Sequence, residues 1–287
     1  MSFRKTPLSL AVLTMAVAIP AHADSASQVP TEEVIVTADF RQTDVQSIAE
    51  ATTVVGAAAI EQRSADHLES LLALAPNVNF SSGASRGRYF QIRGIGERSQ
   101  FIDPVNPSVG LRGDGIDMTG LGGGAGLFDV QQVEVLRGPQ GTRFGANALA
   151  GMINIESNDP TADFEGMVSG KLGNYNTKAL GVVVSGEVGP GLNMRLSAHQ
   201  NRSDGYIHNA YSGRDDTNNI DEQLLRLKGN LELDERNTLA FTGLYIDVDN
   251  GYDGFSLDNT RTTYSNYPGQ DKQNTHAAAL TWTSEVS

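Results

Sequence analysis

The sequence predicts two architectures in series: an α+β domain, a small mixed sheet with short helices, followed by an incomplete antiparallel transmembrane β-barrel. Three observations predict it. Residues 133–155, reading VEVLRGPQGTRFGANALAGMINI, pass from an alternating apolar strand through four glycines to a second apolar run. Beyond Pro160, apolar residues recur at every second position in stretches of roughly ten, joined by short and long connections, as in membrane-crossing strands. The N-terminus has the layout of an export signal, and no later run of eighteen apolar residues offers a helical span, so any membrane crossing falls to strands.

Arg4 and Lys5, an apolar run over 8–19 and Ala21-His22-Ala23 make residues 1–23 a signal peptide, cleaved after Ala23. That run is too short for a bilayer with ~30 Å of hydrocarbon. Residues 24–48 follow as a periplasmic tail, small and polar at first. Within it, residues 32–38 hold four β-branched side chains, Val34, Ile35, Val36 and Thr37. Such a segment can add as a strand to another protein's sheet edge, or serve as the first strand of its own domain. Acidic residues outnumber basic ones 34 to 21, which argues against nucleic acid as a partner. Cysteine is absent, so disulfides, thiolate chemistry and a lipidated N-terminal cysteine are excluded.

The α+β domain is expected over 49–160. A strand over 50–55 ends at Gly56. Ser64 then caps a helix with Asp66 in its first turn, Leu68, Leu71, Leu72 and Ala75 along one face, and Pro76 as terminator. His67, beside that face, is expected at the surface or its boundary. Residues 79–85 read as a loop and 89–94 as a strand, with Phe90 and Ile92 on one face and Gln91 and Arg93 on the other. The stretch 97–112 is irregular, and 119–126 holds five glycines without matching a phosphate-binding loop. Asp114 and Asp117 flank Gly115 as turn residues. The strand at 133–136 stops at Gly138-Pro139, and Gly138, Gly141, Gly145 and Gly151 imply positive-φ turns or very close packing before 152–155 returns as a strand.

Barrel-like strands are predicted over 164–173, 179–188, 192–201, 223–233, 238–248 and 276–284. In the third, Leu192, Met194, Leu196 and Ala198 alternate with Asn193, Arg195, Ser197 and His199, which puts His199 on the polar side. Tyr245 and Trp282 suit either a membrane interface or ordinary sheet packing. A soluble antiparallel sheet shares this period, and export with no helical span favours the membrane. Six strands cannot enclose the preceding domain, since plugged barrels use about 22 strands. The sequence therefore reads as the N-terminal part of a longer protein.

Residues 133–155 resemble the plug signature of TonB-dependent outer-membrane receptors, and the string ending Arg93-Gly94-Ile95-Gly96 is similar to a second plug motif. The signature positions are Arg93, Gly94, Gly96, Glu134, Arg137, Gly138, Pro139, Gly141, Gly145, Gly151 and Asn154. The resemblance implies that 49–160 is a plug domain, that 161–287 are the first strands of its barrel, and that 32–38 is a TonB box. Its residues Glu33, Val34, Ile35, Val36, Thr37 and Ala38 would then bind TonB. The implied setting is the outer membrane of a Gram-negative cell, with lipid around the barrel and TonB driven by its inner-membrane energising complex. The implied function is active uptake of a scarce nutrient, a ferric siderophore or similar iron complex, with cobalamin, haem and carbohydrate as alternatives. Arg93 and Arg137 resemble the plug half of a charge cluster whose glutamates lie farther along the chain. Two solvated strand-end arginines would read the same way.

Three plug loops, roughly 81–88, 97–111 and 118–127, suit ligand contact. They carry Arg86, Arg88, Arg98 and Phe101, fit for an anionic or aromatic ligand. Neither G-x-S-x-G nor H-E-x-x-H occurs, so no catalytic residue, metal ligand or cofactor is expected and the chain does not read as an enzyme. A secreted periplasmic binding module would share the leader without needing the 133–155 string.

Overall fold

The computed structural model describes residues 35–36, 43–44, 51–82, 85–98, 104–122 and 126–285. The predicted signal peptide and Phe101 lie outside these residues. The first half of the described chain builds a five-stranded mixed sheet from β3 (Ala51–Gly56), β6 (Val109–Gly113), β7 (Ile116–Asp117), β8 (Val130–Arg137) and β9 (Gly151–Ser157), in the order β3-β8-β9-β6-β7. The predicted 133–155 unit is its centre. β8 and β9 pair antiparallel, with Val133 opposite Ile155 and Val135 opposite Ile153, and all four side chains are buried. Burying these β-branched residues on a pleated surface contributes roughly 1.5–3 kcal/mol per side chain.

Three expectations for this domain are corrected. The α-helix is α1 (Ala57–Gln62), directly after β3, and not a helix capped by Ser64. Ser64 lies at φ 47°, and the Ala65 N–H closes back onto the Ile60 carbonyl. Leu68, Leu71, Leu72 and Ala75 are buried as the spacing required, but on two 3-10 turns, Leu68–Ser70 and Leu72–Leu74, the first capped by His67. The 79–85 stretch begins as β4 (Val78–Ser82), paired antiparallel with β5 (Gly87–Ile92), whose own Tyr89, Phe90, Gln91 and Ile92 are all buried. Its polar Asn79, Ser81 and Ser82 concealed it. The irregular 97–112 contains β6, parallel to β9; a parallel strand covered on both faces carries no alternation to read.

All six predicted barrel-like strands are present: β10 (Glu165–Leu172), β11 (Lys178–Gly189), β12 (Leu192–Ser203), β14 (Ile220–Asp234), β15 (Asn237–Gly251) and β17 (Gln270–Ser284). They form one antiparallel sheet in sequence order. Short turns at 190–191 and 235–236 close one end. At the other, long loops carry β13 (His208–Asn209) and β16 (Thr262–Thr263), which pair with each other. The sheet's outer face is apolar and open, with Leu180 at 58%, Leu225 at 43% and Leu280 at 70% exposure, while Arg195, Arg226 and Lys228 on the inner face are buried. The inner face packs on the plug sheet. Leu224, Leu244, Ile246 and Val248 from β14 and β15 join the same apolar core as Leu68, Phe90 and Val133.

Candidate functional site

The plug signature spreads along the β8–β9 pair and into the turn after β5. Glu134 and Asn154 stand directly opposite one another, and the Asn154 amide donates to Glu134 Oε2 at 3.1 Å and to Glu156 Oε1 at 2.7 Å. Gln132 donates to Glu134 Oε1 at 2.6 Å. Burial, with Asp114 and Glu134 as negative neighbours, pushes the Glu156 carboxyl above its ordinary range. At Gly151, φ 155°, a Cβ would overlap the Leu136 carbonyl and come within 2.7 Å of Ile92 Cδ1. Gly96, at φ 143°, lies against the Phe90 carbonyl in the same way. Gly94, Gly138 and Gly145 also take positive φ, whereas Gly141 merely opens α2 (Gly141–Phe144) next to exposed Pro139.

Arg93, at φ 55°, is exposed in the turn after β5, and its backbone N–H donates to the Asn77 carbonyl at 2.8 Å. Arg137 is half-buried. Its Nη1 donates to the Pro76 carbonyl at 3.5 Å, and its Nε is buried without a partner.

The plug meets the wall through ion pairs on the inner face of the sheet. Toward the short-turn end, Asp129 takes two bonds from Arg195, Nε at 2.8 Å and Nη2 at 2.7 Å, together with Ser197 Oγ and, at 2.8 Å, the Asn158 amide. Arg195 also reaches Glu165 at 2.8 Å. Burial pushes the Asp129 carboxyl up, but these donors outweigh it and hold it below the usual range. Lys228 and Arg226 stand on the neighbouring strand at the register of Arg195 and Ser197; Asp114 accepts from Ser157 Oγ at 2.8 Å and lies 3.4 Å from Lys228 Nζ and 3.1 Å from Arg226 Nε, the last without hydrogen-bond alignment. Here too burial is outweighed, by Arg226 and Lys228, and the carboxyl stays low. Lys228 adds Asp159 at 2.8 Å.

Toward the loop end the signs reverse. Arg86 grips Glu222 with two bonds of 2.6 and 2.7 Å, and Arg88 donates to Asp271 at 2.8 Å, while Ser85 caps the same carboxylate. Asn250 ties Ser85 to Glu222. His67 lies beneath this latch, buried rather than at the surface as expected. Its Nε2 is 2.8 Å from the Gly122 carbonyl, and its Nδ1 accepts from the Glu69 N–H at 3.5 Å, which fits the neutral ring protonated on Nε2. Burial and the nearby Arg86 lower its pKa.

Of the residues expected to touch ligand, Arg86 has its guanidinium paired with Glu222 through these two bonds. Arg88 keeps 40% of its side chain exposed, and Arg98 is exposed, with one long bond to the Gly94 carbonyl. The sequence did not single out Asp129, Glu222 or Asp271. A signal existed for Arg195, Arg226 and Lys228, which occupy the polar phase of period-two strands. Of the TonB-box-like residues, Glu33, Val34, Thr37 and Ala38 lie outside the described residues. Ile35 and Val36 form β1 (Ile35–Val36), paired with β2 (Thr43–Asp44), and Val36 is buried against Leu136 and Met152.

Residues 44–152 match the TonB-dependent Receptor Plug Domain family. The pesticin receptor of Yersinia pestis is 29% identical over 217 residues, 74% of this chain and 31% of that protein. The vitamin B12 transporter BtuB of Vibrio vulnificus (strain YJ016) is 25% identical over 233 residues, 79% of this chain and 37% of its own. The crystal structure of the ferric yersiniabactin uptake receptor FyuA from Yersinia pestis shares the fold, with a TM-score of 0.72 at 23% identity over 83% of this chain and 38% of that one. The chain thus spans between 31% and 38% of the length of these relatives. Residues 44–152 thus carry the plug domain of TonB-dependent receptors, and the plug sheet with its first wall strands shares the fold of the ferric yersiniabactin uptake receptor.

Proposed function

We propose that this chain is the N-terminal part of an outer-membrane importer that takes up a scarce nutrient, a ferric siderophore or similar iron complex, on energy delivered by TonB. The observation that carries the reading is a plug whose charges are matched, pair by pair, to the inner face of strands whose outer face is apolar; a domain seated this way blocks a pore until it is moved. The name of the ferric yersiniabactin uptake receptor supports iron. BtuB, aligned over 79% of this chain, supports cobalamin as the second reading. Arg86, Arg88 and Arg98, with Phe101, are the residues proposed for ligand contact. Residues 1–23 would direct export, and lipid would cover the outer face of the wall.

TonB would take residues 32–38 as an added strand. Because Val36 is buried against the plug, β1 must first peel away from Thr43–Asp44, so the exposed and docked forms of this segment compete. Uptake of ferric yersiniabactin, ferripyoverdine and cyanocobalamin by cells carrying the full-length receptor would identify the ligand. Ile35→Pro, which removes a backbone donor, should abolish uptake and crosslinking to TonB, and Ile35→Val should preserve both. Wild-type crosslinking and uptake in the proline variant would refute the TonB assignment.

A further inference from the structure

The seam between plug and wall is hollow in two places. A cavity of about 830 Å³ lies beside α1 and the first three wall strands, with Ile60, Asp129, Lys171 and Arg195 in its lining. A second, of about 30 Å³, lies toward the loop end against His67, Asn201 and Glu222. The two share Asp66, Leu127, Phe128 and His199 as boundary. At that boundary the rings of Phe128, from the plug, and His199, from β12, are stacked at 4.6 Å between centroids and 13° between planes.

The ring of Phe128 sits in a notch made by a missing side chain. A Cβ at Gly181 on β11 would overlap Phe128 Cε2 and Cζ. The ring is half-buried rather than locked in the core, so one side-chain rotation would carry it off His199. On the small-cavity side, the Asn201 Oδ1 is buried without a partner, a polar atom that solvent entering there would satisfy. The larger cavity is lined by Glu61, Asp66, Asp129, Asp159 and Glu165 against Lys171 and Arg195, so its field favours cations over anions.

We propose that the Phe128–His199 stack is a gate within the seam: turning Phe128 aside joins the two cavities into one acid-lined passage for small hydrophilic solutes, cations above all, while the plug stays seated. The proposal rests on the reading of the strands as a barrel wall around the plug.

These 287 residues contain no cysteine, so a single introduced thiol in a full-length receptor freed of cysteine elsewhere gives a direct test. Asn201→Cys in the full-length receptor would be titrated in membranes with a small cationic thiol reagent, its anionic counterpart and a bulky polymer-linked maleimide. Phe128→Ala should speed modification by the cationic reagent about tenfold, the population change that loss of one aromatic stack produces. Gly181→Ala, which displaces the ring from the opposite side, should do the same, and Phe128→Tyr should leave the rate unchanged. Equal rates with and without the Phe128 ring would overturn the gate, as would faster modification by the anionic reagent. Rapid labelling by the bulky maleimide in Phe128→Ala would show that the plug had left the barrel, which also overturns it. Failure of the barrel reading would appear separately, as loss of membrane fractionation and of heat-modifiable migration before any labelling.

Discussion

The plug and the wall are built inside out with respect to one another. In the plug, Phe90, Ile92, Val133 and Ile153 are turned inward and are at most 1% exposed. In the wall the exposed apolar side chains, such as Leu180, Leu225 and Leu280, point away from the plug, and the side turned to the plug carries Arg195, Arg226, Lys228 and Glu222 beside a patch of four buried apolar residues. The plug's apolar core is shared with four wall side chains, and the wall's buried cations are neutralised mainly by the plug carboxylates Asp114 and Asp129. The plug therefore has two kinds of attachment: an apolar contact through Leu224, Leu244, Ile246 and Val248, and ion pairs that hold only while each partner is present. A domain that must be both sealed and movable is better served by the second kind, because separated ions can be rehydrated, whereas the apolar contact loses its stabilisation in proportion to area.

The sharpest way to break that division is at Asp114, whose carboxylate is shared by Arg226, Lys228 and Ser157. Asp114→Ala leaves two buried wall cations without it and should destabilise plug seating by about 3–5 kcal/mol. Asp114→Asn, which keeps the Ser157 contact, should cost less. Urea titration of the full-length receptor, following plug release by protease accessibility, measures both. Wild-type midpoints in Asp114→Ala would mean that the apolar contact alone holds the plug.

The same contrast explains what could be read in advance. The wall strands were legible to within a few residues because each has one lipid-type and one polar face, so their alternation survives regardless of what the plug does. In the plug, the glycines of 133–155 were legible because Gly151 and its neighbours need conformations that few other residues accept. β6 was hidden by burial on both faces, and β4 by polar side chains. The α-helix was misplaced because the Leu68, Leu71, Leu72 and Ala75 stripe marks a buried face without distinguishing one α-helix from two 3-10 turns. The seam was half-legible: its wall cations sit in phase with the strands, but Asp114 and Asp129 lie in turns, where neither period nor motif singles them out.

A smaller effect tests the loop end of the seam, where the plug contributes the cations. Since the pKa of buried His67 is lowered from 6.5 by burial and by Arg86, and raised less by Glu69, the Gly122 carbonyl and Glu222, the folded plug binds fewer protons than the unfolded chain just below that value. Its contribution is then present above about pH 6.5 and lost as pH falls toward the folded pKa, at no more than about 1.4 kcal/mol per pH unit. The carboxylates Asp114 and Asp129, held low, act in a separate window: their stabilisation is present above 3.8 and is lost as pH falls below it toward their folded values. Thermal unfolding between about pH 7.5 and 5.5 should therefore show a decline in wild type that His67→Gln flattens. Identical pH slopes would remove His67 from the account.

The smallest effect belongs to Lys171, on β10, which reaches Asp66 at 2.6 Å beside the larger cavity. Its geometry is as close as that of the Arg86–Glu222 pair, yet its side chain is 40% exposed and that of Asp66 36%, against 14% and 20% for Arg86 and Glu222. Distance alone would rank the two pairs as equals. Water screens the first and orders little else around it, so Lys171→Ala should cost about 0–1 kcal/mol. Arg86→Ala, which strands Glu222 beside His67, Asn250 and Ser85, should cost clearly more. A double-mutant cycle on each pair separates coupling from the packing of the long side chains themselves. Equal coupling energies would mean that the exposed pair is as dry as the latch in the working receptor, and that the seam is uniform from end to end rather than graded from the latch to Lys171.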